Sequence, residues 1–294
     1  MNRLGAWYGL FLLITVLWGC EASPTISKPA SNPQAQATPI PEQPDKYIHL
    51  LESAAHKSEA LSYDGYDLVK LTKKVKLEET SGLTEVSYAI LKRKGQVLIK
   101  FDGVYSGLGN ATDFGLFSFL NGEAKQIFVS QTIPRGGRHW IINVSPDFHV
   151  TYDSGDWGVG RDDFAVIDVN GDGVYEISQE VTAFYGFENL SSSETPLPEV
   201  IFKYDESAGK YLPANHLFQQ VALEGIERQI ENLRRDENRL SSMLHIVLRY
   251  IYAGKDQEAW SFFEREYTRA NKEQIKAKIL AVLREEAVYK YFHQ

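Results

Sequence analysis

The stretch Phe164-Ala165-Val166-Ile167-Asp168-Val169-Asn170-Gly171-Asp172-Gly173-Val174-Tyr175-Glu176-Ile177-Ser178-Gln179-Glu180-Val181 sets two apolar runs around a polar turn. The runs are rich in β-branched and aromatic residues, which suit a pleated, half-buried backbone. Asn170-Gly171 and Asp172-Gly173 are favoured residue pairs for a tight reversal between two strands. The local reading is strand, turn, strand.

The same texture extends both ways. Alternating apolar and polar residues predict strands over Asp67 to Lys74, Thr84 to Lys92, Gln96 to Phe101, Phe114 to Leu120 and Lys125 to Thr132. Further strands are expected over Arg138 to Val144, His149 to Tyr152, Asp163 to Asp168, Tyr175 to Ala183 and Glu199 to Tyr204. Arg93-Lys94-Gly95, Asn121-Gly122, Arg135-Gly136-Gly137 and Ser207-Ala208-Gly209 mark turns between them. Regular spacing with tight turns predicts an antiparallel β domain over 63–213, a sandwich or a partial propeller-like sheet.

After Pro213 the period changes to that of a helix. Leu223, Ile226, Ile230 and Leu233 fall on one face of Leu217 to Arg239. Leu240 to Ala253, Asp256 to Tyr267 and Lys272 to Phe292 continue in that period, so 214–294 reads as a helical domain. A short helix is also expected over 46–62, with Leu50, Leu51, Ala54, Ala55 and Leu61 on its apolar side. The fold class is therefore α+β, with sheet first and helices last. With 294 residues the chain exceeds the usual span of one core, which agrees with two folded units.

The N-terminus has a different character. Met1-Asn2-Arg3, an apolar run from Leu4 to Trp18 and the small Gly19 form an export signal over 1–19. The run is shorter than the roughly 20 residues that span a bilayer comfortably. Cys20 is the only cysteine, so no disulfide forms within the chain. From 20 to 45 the chain is a tether: six of the 11 prolines lie there (Pro24, Pro29, Pro33, Pro39, Pro41 and Pro44). Such a composition stays extended and solvated.

Leu17-Trp18-Gly19-Cys20 resembles the lipobox of bacterial lipoproteins, although Trp18 stands where a small or β-branched residue is usual. The resemblance implies cleavage before Cys20, a diacylglycerol thioether on its sulfur and an acylated amine. More than one acyl chain makes anchoring stable. Glu21 follows the cysteine where aspartate would signal inner-membrane retention, so an outer membrane is favoured if the organism has one. The residues also permit an ordinary cleaved signal or an uncleaved anchor.

The loop 168–176 resembles the Asp-x-Asn-x-Asp-Gly calcium loops of EF-hands, dockerins and the FG-GAP or VCBS-type repeats of β-propellers. An EF-hand loop needs flanking helices and an acid at position twelve, which here is Gln179. The FG-GAP-like version, between strands with an acid at position nine, is closer. That resemblance implies side-chain ligands Asp168, Asn170, Asp172 and Glu176, with the Val174 carbonyl as a fifth. Calcium would then be a structural ion, offsetting repulsion among three carboxylates. Extracellular modules of this kind hold it at about 0.1 to 1 mM. A bare hairpin turn remains the alternative reading of Asn170 to Gly173.

Other chemistry is thin. Arg135-Gly136-Gly137-Arg138-His139 offers a small anion site or simply a turn. Asp153, Asp156, Asp162 and Asp163 lie near Tyr152 and Trp157 and invite a hydrolase with paired carboxylates, or else cap turns. The seven histidines are scattered without zinc-ligand spacing, and no nucleophile elbow, phosphate loop or dinucleotide fingerprint occurs. A net charge of −8 disfavours nucleic acid as a partner, since that binding needs a basic footprint. Tyr250, Gly254, Ala259 and Phe263 have the spacing of one tetratricopeptide helix pair, and the resemblance implies an antiparallel helix hairpin, with a module that recruits a protein partner as the alternative. The expected function is that of a lipid-anchored envelope protein of binding or structural type, with a hydrolase or an interaction module as alternatives.

Overall fold

The computed structural model of the chain describes residues 48–50, 59–78, 81–134, 136–160, 164–236 and 239–293. The leader, Cys20 and the proline-rich tether lie outside them. Strands β1 (Ile48–His49), β2 (Ala60–Tyr63), β3 (Tyr66–Lys76), β4 (Leu83–Arg93) and β5 (Gln96–Phe101) come first. Next come β6 (Ala111–Phe117), β7 (Gln126–Ile133), β8 (Gly136–Asn143) and β9 (His149–Asp153). A single turn, α1 (Ser154–Trp157), precedes β10 (Ala165–Ile167), β11 (Glu176–Glu180), β12 (Glu199–Asp205) and β13 (Lys210–Pro213).

These strands form three antiparallel sheets, ordered β2-β3-β4-β5, β6-β7-β8-β9 and β1-β10-β11-β12-β13. The fold is α+β, as the alternation predicts. The middle sheet has a core on each face. Ile127, Val129, Trp140 and Ile142 pack with Tyr66, Leu68, Leu91 and Phe101 of the first sheet. Phe128, Ile141 and Tyr152 point the other way and pack with Val166, Ile177 and Phe202 of the third. Successive strand residues face opposite sides, and β7 and β8 are accordingly apolar on both faces through their centres, Ile127 to Val129 and Trp140 to Ile142.

Helices α2 (Gln219–Ala222), α3 (Ile226–Leu233), α4 (Arg239–Tyr252), α5 (Asp256–Glu266), α6 (Lys272–Glu285) and α7 (Ala287–Phe292) follow. The buried stripe of α4, Leu240, Met243, Leu244, Val247 and Ile251, keeps the helical period. It belongs to the same core as Val166, Ile177 and Phe202, so the core runs without a break across position 213. Residues 44–294 accordingly form one compact unit.

Three expectations about local structure are corrected. The helix expected over 46–62 is strand at both ends: Ile48–His49 pairs with β10 and Ala60–Tyr63 with β3. Residues 51–58, its middle, lie outside the described residues. The single helix expected over Leu217 to Arg239 is broken at Gly225, whose φ of 73° no helix accommodates. The helix expected over Lys272 to Phe292 is broken at Glu286, whose backbone is extended (φ −80°, ψ 134°). Among the described residues no helix is long and apolar enough to cross a membrane.

Candidate functional site

The loop between β10 and β11 is built by its own side chains. Asp168 Oδ1 accepts the N–H groups of Gly171 at 2.8 Å and Asp172 at 3.1 Å, and its Oδ2 accepts that of Gly173 at 3.0 Å. One carboxylate therefore satisfies three amides that the tight turn takes from the sheet ladder. Asn170 Oδ1 accepts Asp172 N–H at 3.2 Å, and Asn170 Nδ2 donates to Asp172 Oδ2 at 2.8 Å. Asp172 Oδ1 accepts Val174 N–H at 2.7 Å. That backbone bond, with the Asn170 amide next, holds the Asp172 carboxyl below the ordinary carboxylate range. Gly171 (φ 73°) and Gly173 (φ 81°) supply the left-handed backbone the turn needs.

Three contacts from far along the chain hold the loop in place. Asn121, in the connection between β6 and β7, donates Nδ2 to the Asp172 carbonyl at 2.8 Å. Tyr175 N–H donates to the Phe119 carbonyl at 2.8 Å. From β13, the buried Tyr211 hydroxyl donates to the Tyr175 carbonyl at 3.1 Å.

Glu176 differs from the other candidate ligands. It is wholly buried, where they are exposed or half-buried. Its Oε2 accepts Val169 N–H at 3.0 Å, and its Oε1 lies 3.3 Å from Lys203 Nζ on β12. The donors suit a hard cation in kind, being all oxygen and spaced at alternate positions. Asp168 Oδ2 and both oxygens of Asp172 each accept one hydrogen bond and keep a second lone pair, whereas Asp168 Oδ1 already accepts two. Among the described residues no three His, Cys, Asp or Glu side chains are close enough together to hold a metal as they stand. The structure thus brings Asp168, Asn170, Asp172 and the Val174 backbone into one turn and gives Glu176 to an ammonium. A cation there would be held by Asp168, Asn170, Asp172 and the Val174 carbonyl, with Glu176 joining them only on leaving Lys203. Lys203, Asn121 and Tyr211 lie 27 or more residues from their loop partners and carry no local sequence signal for this role.

The acidic segment before the loop has structural work. Asp153 Oδ1 accepts Arg138 Nε at 2.7 Å and Gly155 N–H at 2.9 Å. Its Oδ2 accepts Arg138 Nη2 at 2.6 Å and Trp140 Nε1 at 2.9 Å. Four donors on two oxygens leave Asp153 no free edge for proton transfer, and it caps α1. The same fork occupies Arg138, half of the anion site suggested by the sequence. Gly136 and Gly137 belong to β8, and Arg135 lies outside the described residues. A cleft of about 320 Å³ beside Asp153 is lined by Tyr152, Asp156, Trp157, Lys210 and Tyr211. Asp162 and Asp163 lie outside the described residues.

At the helical end, a groove of about 520 Å³ is lined by Ile230, Tyr250, Phe262, Gln257, Glu258 and Arg265. Ala259 and Phe263, of the expected helical hairpin, are fully buried, and Gly254 (φ 74°) closes α4.

Compared with protein-family models, with curated proteins and with solved structures, the chain matches none.

Proposed function

We propose that this chain is a lipid-anchored cell-envelope protein of binding or structural type whose β region is braced by calcium. The observation that carries the proposal is the sole cysteine, Cys20, placed between an apolar leader and a proline-rich tether. In this reading the lipid on Cys20 holds residues 44–294 off the membrane surface, in the outer membrane where the organism has one. Replacement of Cys20 by serine releases the protein into the soluble extracytoplasmic fraction. Continued sedimentation of Cys20→Ser with membranes overturns the anchor.

Calcium is supported by the convergence of Asp168, Asn170 and Asp172 oxygens in a loop made rigid from outside by Asn121. Added calcium raises the melting temperature of the protein, and Asp168→Ala abolishes the rise. An equal rise in the variant ends the calcium reading. A binding or structural role is favoured over catalysis because the most buried acid of the 153–156 segment, Asp153, already accepts four hydrogen bonds.

A second reading, recruitment of a protein partner by the C-terminal helices, is favoured by the groove at Tyr250 and Phe262. Its apolar side chains lie beside both an acid and a base, Glu258 and Arg265.

A further inference from the structure

The geometry points to Lys203 as a tethered cation that holds Glu176 in the metal-free loop and competes with calcium for it. The inference rests on the calcium reading above and concerns the control of that same loop. A carboxylate with no access to water needs countercharge and hydrogen bonds, or its burial is costly. Glu176 is fully buried, and the partners of its two oxygens are Val169 N–H at 3.0 Å and Lys203 Nζ at 3.3 Å.

Lys203 is placed for this by the sheet. It stands on β12, the strand beside β11, and its side chain is 32% exposed. The ammonium lies 5.8 Å from the centre of the Phe218 ring, which supports it without removing it from Glu176. Its field also reaches Asp172, another of the four side-chain ligands implied for the loop. One ammonium therefore acts on two of them. Meanwhile the Asp168 carboxylate accepts three loop amides with no ion required.

The loop thus has a folded state before any metal arrives. Calcium gains Glu176 only by displacing a covalently attached competitor, whose effective concentration is high. The ion's affinity is then set by the difference between two cations on one carboxylate. Lys203 lowers that affinity, and the loop fills and empties as external calcium changes.

The test compares the full chain, purified in detergent, with its Lys203→Met variant by calorimetric titration with calcium chloride and by thermal melting. In chelator the variant melts below wild type, because Glu176 has lost its countercharge. It binds calcium about tenfold tighter or better, and calcium restores more of its melting temperature than it adds to wild type. Should Lys203→Met not fold without calcium, Lys203→Gln keeps a donor for Glu176 without the charge, and the same tightening is expected of it. Calcium binding by these variants equal to or weaker than that of wild type overturns the competition. If wild type nevertheless binds calcium and Asp168→Ala does not, the calcium reading stands. No binding by wild type or by either variant overturns both.

Discussion

Phe128→Ala destabilises the folded unit by about 3–5 kcal/mol, the range for removing a large aromatic from a packed core. Phe128 is fully buried on β7, with ring centres at 4.6 Å to Phe164 and 6.3 Å to Phe119, and His139 stacked at 6.2 Å. The cost falls in the upper part of the range because the cavity has no easy way to close. Its neighbours on the strand, Ile127 and Val129, are committed to the opposite core, so β7 cannot move toward the gap without opening one behind it. Denaturant titration measures the loss as a fall in midpoint at constant slope. Val97→Ala is the control: Val97 is 51% exposed, and a change within about 0.5 kcal/mol is expected there. Equal effects at the two positions would contradict the double-faced middle sheet.

The second large effect is expected at Glu286, between α6 and α7. Its Oε1 accepts Val288 N–H at 2.9 Å, and its Oε2 accepts Tyr289 N–H at 2.6 Å and the Tyr252 hydroxyl at 3.1 Å. The residue is 6% exposed. Glu286→Ala leaves two helix N-terminal amides and a buried phenol without their acceptor, a loss of about 2–4 kcal/mol. Glu286→Gln keeps one acceptor oxygen and loses less.

A pH dependence accompanies this site. Burial raises the Glu286 pKa above the ordinary 4.5, and the two amides and the Tyr252 hydroxyl pull it only partly back. In the window between those two values the folded protein binds more protons than the unfolded chain, so stability falls as pH rises. The contribution is therefore greatest below pH 4.5 and is lost as pH climbs through the raised folded value. Glu286→Gln removes that slope. Subtracting its stability curve from that of wild type isolates the slope, and a difference of opposite sign would contradict the burial argument.

Much of the sheet was legible because its information is local. Gln96 to Phe101 is a strand with the bounds its alternation predicts, beginning directly after Gly95. Arg239–Tyr252 differs from the helix expected over Leu240 to Ala253 by one residue at each end. Two of the failures share a cause. Leu50, Leu51, Ala54 and Ala55 have helical spacing, yet Ile48–His49 is strand through pairing with β10, more than 100 residues away. A partner edge supplies hydrogen bonds that no local window contains, and tertiary context then overrides periodicity. Glu286 falls inside the helix expected over Lys272 to Phe292, and only its burial beside Tyr252 makes it a cap.

At the candidate site the division is equally physical. The amino-acid sequence alone determined the turn at Asn170 to Gly173, because that turn is closed by its own glycines and by the Asp168 and Asp172 carboxylates. It also determined where the lone cysteine stands. Tertiary structure alone decided that Glu176 is buried, that Lys203 neutralises it and that Asn121 clamps the loop. Burial and countercharge are set by whichever strands fold alongside, and those strands come from elsewhere in the chain.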